Sequence, residues 1–159
     1  MTHEEKARQL FKEGYNCAQA VALAFADEME IDRDTLAKMA SSFGGGLGRL
    51  REVCGCVSGM ALAAGCLYGY EGPETGEKKM NHYALIQELA GKFKEENGSI
   101  ICRELLSGIT ADASPKPEER TKEYYKKRPC PELAAMAAAI LEEKMKELDA
   151  KAPEDTKEK

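Results

Sequence analysis

The stretch CGCVSGMALAAGCLYGY, residues 54–70, predicts a helix against which a second helix packs closely. Its small residues Gly55, Gly59 and Ala63 fall at positions i, i+4 and i+8, so they share one face of that helix. A face without bulky side chains allows the backbone of a neighbouring helix to approach. The stripe suits an internal contact or the seam of a homodimer, and both interpretations stay open. The stretch is too short and too glycine-rich to span a bilayer.

Helices are also predicted on both sides of this stretch, because apolar residues recur at helical spacing and capping residues precede them. The sequence shows no strand-like alternation and no internal repeat. The fold class is therefore predicted to be all-α, a multi-helix bundle of about five to seven helices without a sheet. We expect one domain over residues 1–149 and a loose charged tail at 150–159. The other predicted helices span residues 3–12 (capped by Thr2), 17–29 (Asn16), 33–42 (Asp32), 77–96, 100–106 (Ser99) and 130–148, with one helical turn near 118–124.

The net charge of the chain argues against some classes of binding partner. The net charge is −5 at pH 7, and hydrophobic residues make up 43% of the chain. An acidic balance argues against nucleic acid and against anionic membrane surfaces. The N-terminal sequence MTHEEKARQLFKEGYN has no apolar region typical of a signal peptide. We therefore expect a cytoplasmic protein, in a compartment where thiols stay reduced.

The cysteines are the residues that point to a function. Four of the six stand where a helix is predicted to begin, and unpaired N–H groups there favour thiolate over thiol. Cys66 falls in the middle of a helix and is predicted to be a core residue. A lone cysteine is commonly a small buried hydrophobe, but four at helix starts in a reduced compartment indicate a sulfur-based site. The four at predicted helix starts are Cys17, Cys54, Cys102 and Cys130, and the other two are Cys56 and Cys66.

Two cysteines, Cys54 and Cys56, lie only two positions apart. Arg49 and Arg51 precede them, and nearby cations lower the pKa of a thiol. Two positions on a helix correspond to about 200° of rotation, so the two side chains are expected to diverge if both are helical. Cys54, at the cap, can then turn towards a site that Cys56 does not reach.

Four glycines fall within the run GGGLG, residues 44–48, a composition that neither helix nor strand favours. A phosphate cradle is one interpretation, but the Lys-Ser/Thr ending of a P-loop is absent and no strand precedes the run. We favour close packing around the sulfur site, where backbone amides would approach the sulfurs. Gly45, Gly46 and Arg49 are the residues expected to contact a cofactor there. The two histidines, His3 and His82, are predicted to be surface residues.

Several segments together resemble a known family. The segments GYNCAQAV (14–21), FGGG (43–46) and CGCVSG (54–59), followed by Cys102 and Cys130, resemble the redox-active protein family C_GCAxxG_C_C. The resemblance covers nearly the whole chain, and the cysteines, the glycine run and the Cys-Gly-x-x-x-Gly block occur in the order of the family. The family is similar to proteins of anaerobic bacteria and archaea, often encoded beside transport or redox genes.

The resemblance implies a cysteine site. Cys56 stands where the family typically has alanine, and Cys66 looks like an addition. Either could be a further sulfur near the site or a substitution of similar size. The cysteines of the family correspond here to Cys17, Cys54, Cys102 and Cys130.

Three hypotheses follow for the function. The first is a redox protein in which the four family cysteines, with Cys56 as an optional fifth ligand, hold an iron–sulfur cluster or another metal ion for electron transfer to an unidentified redox partner. The spacings lack the C-x-x-C pattern, so convergence must come from the fold. The second is a metal-free thiol–disulfide or sulfur-transfer enzyme in which Cys54 attacks and Cys17 or Cys56 resolves. The third is a zinc-stabilised helical module that binds a partner.

Overall fold

The computed structural model describes residues 1–73, 76–109 and 112–151. Within these ranges the chain folds into a series of α-helices, with one 3₁₀ turn at Ala26–Glu28. In chain order the helices are α1 (His3–Lys12), α2 (Cys17–Leu23), α3 (Arg33–Ser41), α4 (Gly55–Tyr68), α5 (Glu77–Asn97), α6 (Cys102–Leu105), α7 (Lys122–Lys127) and α8 (Cys130–Lys151).

The all-α prediction is confirmed for these ranges, but their helices number eight rather than five to seven. The additional helix is α7, which replaces the turn predicted near 118–124 and begins after Thr121, whose side chain accepts a hydrogen bond from the first turn. No β-strand occurs in the described part of the chain. Val53 and Ile101 form an isolated antiparallel bridge there.

Most helices begin where the capping residues predict. Thr2 and Asn16 each form a capping box, in which the side chains of the cap and of the third helical residue satisfy each other's backbone N–H groups. Asp32 also accepts an N–H hydrogen bond from the first turn of its helix. The prediction for Ser99 was wrong. Its hydroxyl accepts the N–H of Ile101, the residue before α6, and so does not cap that helix.

Helix α2 is shorter than predicted and ends at Leu23. The chain leaves the helical region at Phe25 (φ −106°, ψ 10°), and the buried ring of Phe25 stacks on His3 with 4.2 Å between ring centroids. Helix α2 therefore ends just before the residue whose ring packs into the core. His3 was predicted to be a surface residue, but its two ring nitrogens each lie 2.7 Å from a carboxylate, of Glu28 and Glu142, and its side chain is only 14% exposed.

Helix α4 packs against α2 through the bare stripe. A Cβ atom on Gly59 would lie 2.5 Å from the carbonyl oxygen of Ala18, and one on Gly55 would overlap the sulfur of Cys17. The stripe therefore forms an internal contact, and a homodimer stays a prediction. Helix α1 packs on α8 beside this pair. The largest buried side chains of the core are Phe11, Val21, Phe25, Leu36, Met60, Leu89, Phe93 and Leu141.

The glycine run forms a left-handed turn between α3 and α4. Five consecutive residues, 45–49, have φ between 54° and 74°. Leu47 and Arg49 carry side chains, and each holds this conformation at a cost of about 1–2 kcal/mol. The turn folds back on itself, because the N–H of Arg51 donates to the carbonyl of Gly45 at 3.1 Å. Non-glycine residues in this conformation are found mainly where the surrounding structure enforces them, often at functional sites.

Helix α8 continues through Lys151, so it includes the first two residues of the segment 150–159 that was predicted to be a loose tail. The rest of that segment, 152–159, lies outside the described residues. None of the helices in the described ranges is both long and apolar enough to cross a membrane.

Candidate thiol site

Five of the six cysteines line one cavity of about 450 Å³. They reach it from the starts of α2, α4, α6 and α8. The glycine turn and the connection between α6 and α8 supply its other walls. The cysteines that line the cavity are Cys17, Cys54, Cys56, Cys102 and Cys130.

Cys66 does not line this cavity, and the prediction that it is a core residue was wrong. It is exposed on α4. Its position is about 80° around the helix axis from that of Cys56. This places it between Gly55 and Gly59 around the axis, but it lies in the last turn of α4, where a Cβ atom on the neighbouring Gly65 would also meet open space.

The cysteines of the resemblance stand at helix starts, as predicted. Cys17, Cys102 and Cys130 are the first residues of α2, α6 and α8, and Cys54 is the N-cap of α4. Two backbone hydrogen bonds, donated by the N–H of Cys54 at 2.7 Å and by the N–H of Cys102 at 2.6 Å, join the segments that precede α4 and α6. The isolated bridge thus brings two helix starts together that are far apart in the sequence.

The surroundings of Cys17 stabilise its thiolate. Its pKa is lowered from 9.0 to about 6, chiefly by a hydrogen bond from the thiol of Cys56. The backbone N–H groups of Gly45, Ala18 and Cys17 itself also donate to the sulfur, while burial opposes the shift. The glycine run thus brings the amide of Gly45 against a sulfur. At neutral pH Cys17 is mainly a thiolate.

Cys56 lies between two other sulfurs and is 1% exposed. Its thiol hydrogen-bonds both Cys17 and Cys54, and these contacts together with burial raise its pKa well above the ordinary value. The divergence expected if both residues were helical does not apply, because Cys54 precedes the helix with a non-helical backbone (φ −53°, ψ 131°). Cys56 is therefore a protonated member of the thiol cluster.

Burial outweighs the helix-start effect at Cys102 and Cys130. The pKa of Cys130 is raised to about 12, and that of Cys102 is also raised, in both residues mainly because burial penalises the thiolate. Gly46 contributes to this burial, since a Cβ atom on it would lie 2.7 Å from the Cβ of Cys102. The prediction that a helix-start cysteine is primed as a thiolate was wrong at these two positions.

The opposite shifts at Cys17 and Cys130 predict how stability depends on pH. Because the folded pKa of Cys17, about 6, lies below the value of 9.0 used for the unfolded chain, its contribution to the free energy of unfolding is fully present above pH 9 and is lost as the pH falls from 9 to 6. Because the folded pKa of Cys130, about 12, lies above 9.0, its contribution is lost as the pH rises from 9 to 12. Urea unfolding of the reduced protein measures both effects. Relative to the wild type, Cys17→Ser should flatten the lower range and Cys130→Ser the upper one, and unchanged slopes would contradict the assignment.

Arg51 faces Cys102 in the cavity. Its Nη1 lies 3.8 Å from the sulfur of Cys102, and the guanidinium opposes the rise in the pKa of that thiol. Arg49 also lines the cavity, and its guanidinium donates to the carbonyl of Ser114. These arginines were expected to act on Cys54, but their hydrogen bonds go to Cys102 and to the connection after α6.

Segment 112–130 supplies site residues that were not predicted from the sequence. Its prolines and its polar composition predicted a long connection with one helical turn near 118–124. Arg120 anchors it, donating to the carbonyl of Tyr15 at 2.8 Å and stacking on the ring of Phe11 at 4.1 Å from the centroid. The basic residues shortly before Cys130 were the one usable signal. Besides the predicted Cys130, the segment lines the cavity with Pro115, Pro117, Glu118, Arg120, Tyr124 and Arg128.

The thiols that line the cavity have the chemistry of soft metal ligands. Among the residues that the structure describes, no group of three or more His, Cys, Asp or Glu side chains could hold a metal ion. Cys56, which hydrogen-bonds Cys17 and Cys54, would have to release its proton to ligate a metal ion.

Comparison with known proteins gives one match. The family model described as "Putative redox-active protein (C_GCAxxG_C_C)" matches residues 15–144, which is most of the chain and the range in which all six cysteines lie. The resemblance noted from the sequence is thereby confirmed. No curated protein and no solved structure matches the chain.

Proposed function

The chain belongs to the C_GCAxxG_C_C family of redox-active proteins, and we propose that it is a thiol–disulfide oxidoreductase in which Cys17 attacks and Cys56 resolves. The observation that carries the proposal is the hydrogen-bonded pair of a thiolate and a thiol at one cavity. Dithiol exchange needs an attacking sulfur that is ionised near neutral pH and a second thiol in contact with it. Both are present in this pair.

The exchange begins when the Cys17 thiolate attacks one sulfur of a disulfide substrate. A bond forms between Cys17 and that sulfur, and the other half of the substrate leaves as a thiolate. Cys56 gives its proton to the departing thiolate and then attacks the sulfur of Cys17, which releases the second half. The substrate has gained two electrons, and the protein holds a Cys17–Cys56 disulfide. A dithiol redox partner, also part of this proposal, returns the protein to its reduced form by the reverse exchange.

The assignment of attack to Cys17 departs from the hypothesis that centred on Cys54. The sulfur of Cys17 receives hydrogen bonds from Cys56 and from three backbone N–H groups, so its negative charge is stabilised from several directions. Cys54 caps α4, but its side chain accepts no hydrogen bond from the first turn of that helix. The helix start therefore supports the thiolate at Cys17 through direct N–H contacts.

The test is to trap the two stages separately. The full chain is purified without oxygen, treated with 2-hydroxyethyl disulfide and analysed by peptide mass mapping. The wild type should form a Cys17–Cys56 disulfide without retaining the reagent. Cys56→Ser should stop at a stable mixed disulfide on Cys17, because the resolving thiol is gone.

Cys66→Ser is the matched control, since Cys66 is exposed and does not line the cavity. This variant should form the Cys17–Cys56 disulfide as the wild type does. A disulfide that excludes Cys17, for example between Cys54 and Cys102, would overturn the assignment of roles.

A second candidate function is an iron–sulfur cluster or another metal centre held by Cys17, Cys54, Cys102 and Cys130 for electron transfer. The observation in its favour is that all four line one cavity. Its test is the iron and acid-labile sulfide content of protein purified without oxygen, with a visible spectrum. Iron and sulfide in stoichiometric amounts, lost in Cys130→Ser, would favour this candidate over thiol exchange, because Cys130 has no part in the dithiol pair.

A further inference from the structure

Four guanidinium groups line the thiol cavity. Arg49 comes from the glycine turn and Arg51 from the segment that follows it, and Arg120 and Arg128 come from the segment before α8. The side chains of Arg49, Arg51 and Arg128 are 13%, 9% and 4% exposed, so their charges lie largely away from bulk water. Electrostatic interactions of such groups are screened less by solvent and salt than those of surface arginines.

Negative charge at the cavity does not balance these arginines. Among the described residues that line it, Glu118 is the single carboxylate. Its Oε1 lies 3.6 Å from Arg49 and 3.9 Å from Arg51, and it also contacts Arg128, so one carboxylate is shared by three guanidinium groups. Arg120 directs its donors to backbone carbonyls instead. Even with the Cys17 thiolate counted, the cavity carries an excess of positive charge.

Among the residues that the structure describes, one of these donors has no hydrogen-bond acceptor. Nη1 of Arg49 lies 3.5 Å from the exposed carboxylate of Asp112 and donates to the carbonyl of Ser114. Nη2 of the same guanidinium is buried and has no hydrogen-bond partner within the described ranges. Glu118 approaches Nη2 without bonding it. A buried N–H without an acceptor is costly, and an anionic oxygen is the acceptor that a guanidinium binds best.

We propose that the cavity selects small disulfides that carry an anionic oxygen group, which binds at Arg49 while the disulfide meets Cys17. The cavity volume of about 450 Å³ lies in the range of small-molecule sites. The inference rests on the proposed function for the reaction step, whose bonds and electrons are those given above. The anion site itself depends only on the arginines, so the anion site and the thiol-exchange reaction can fail separately.

The test compares three small disulfides that differ mainly in charge. They are 3,3′-dithiodipropionate, which is anionic, 2-hydroxyethyl disulfide, which is neutral, and cystamine, which is cationic. At pH 7 and low salt, Cys17 in the wild type should react with the anionic reagent about tenfold faster than with the neutral one, and slowest with the cationic one. Arg49→Gln should remove most of this preference, and Arg49→Lys should keep part of it because the charge remains.

Arg8→Gln is the matched control, because Arg8 makes the same type of charge pair, with Glu132 at 3.0 Å, but does not line the cavity. It should leave the charge preference unchanged. Equal rates for the three disulfides in the wild type would overturn the inference while leaving thiol exchange intact.

A binding measurement keeps the inference testable if thiol exchange fails. Titration calorimetry of the Cys17→Ser protein with suberate, a dicarboxylate of the same length in which two methylene groups replace the disulfide, measures binding without reaction. Binding that is lost in the Cys17→Ser, Arg49→Gln double variant supports the anion site even if the wild type performs no exchange. Absence of binding to Cys17→Ser, together with equal rates in the wild type, overturns it.

Discussion

Replacing Cys17 with serine is expected to remove the fast-reacting thiol of the reduced protein. With a pKa of about 6, Cys17 is about half ionised at pH 6, whereas a thiol with the ordinary pKa of 9.0 is ionised to about one part in a thousand. The lower basicity reduces the intrinsic nucleophilicity of the thiolate by roughly twentyfold over this interval. The remaining advantage at pH 6 is on the order of twentyfold. Iodoacetamide labelling followed by peptide mass analysis measures the rate at each cysteine.

The pH profile of this rate identifies its cause. In the wild type the rate at Cys17 should rise with a midpoint near pH 6. Cys56→Ala should move the midpoint upward, because the largest stabilising hydrogen bond to the thiolate is lost. Cys66→Ser should leave both the rate and the midpoint unchanged. A fast thiol that persists in Cys17→Ser, or a midpoint that Cys56→Ala does not move, contradicts the assignment.

Gly59→Ala is expected to destabilise the protein by about 1–3 kcal/mol, the range for overpacking a closely packed interior. The added Cβ would lie 2.5 Å from the carbonyl oxygen of Ala18 and 3.0 Å from its Cα. Both are backbone atoms of α2, so relief requires the two helices to move apart. The movement would also disturb the contact between Gly55 and Cys17, and with it the thiol site. Urea or thermal unfolding measures the loss.

Gly65→Ala is the matched control in the same helix. A Cβ atom at Gly65 would have no other atom within 4 Å, so it meets open space. Alanine is favoured over glycine in a helix by about 0.5–1 kcal/mol, so this change should raise the free energy of unfolding. If Gly59→Ala and Gly65→Ala have the same effect, the close approach of α2 and α4 is not what the glycine stripe provides.

The helices could be predicted largely because their signals are local. Thr2, Asn16 and Asp32 cap α1, α2 and α3 through hydrogen bonds that reach only three residues along the chain. The errors occur where distant groups compete. Ser99 accepts the N–H of Ile101, next to the bridge that fastens the segment before α6. Phe25 is buried against His3, and α2 ends before it.

The candidate site could be predicted as a set of residues but not as a set of roles. The cysteines of the family resemblance were recognised from their positions at helix starts. Ionisation at these positions depends on the balance between N–H contacts and burial, and that balance differs between Cys17 and Cys130 although both begin a helix. The direction of the Cys56 side chain was predicted from the rotation of a regular helix. Its contact with Cys54 depends instead on the non-helical backbone of Cys54, the N-cap of α4.

The sequence alone determined that this chain is all-α, that a glycine stripe on α4 receives another helix, and that cysteines at helix starts form its candidate site. These features follow from spacing and capping, which act over a few residues. Only the tertiary structure decided that α2 occupies the stripe, that Cys17 and Cys56 form the thiolate–thiol pair, and that segment 112–130 brings Arg120 and Arg128 to the cavity. Hydrogen bonds, burial and charge pairs between distant segments set those outcomes, and the order of residues along the chain does not encode them locally.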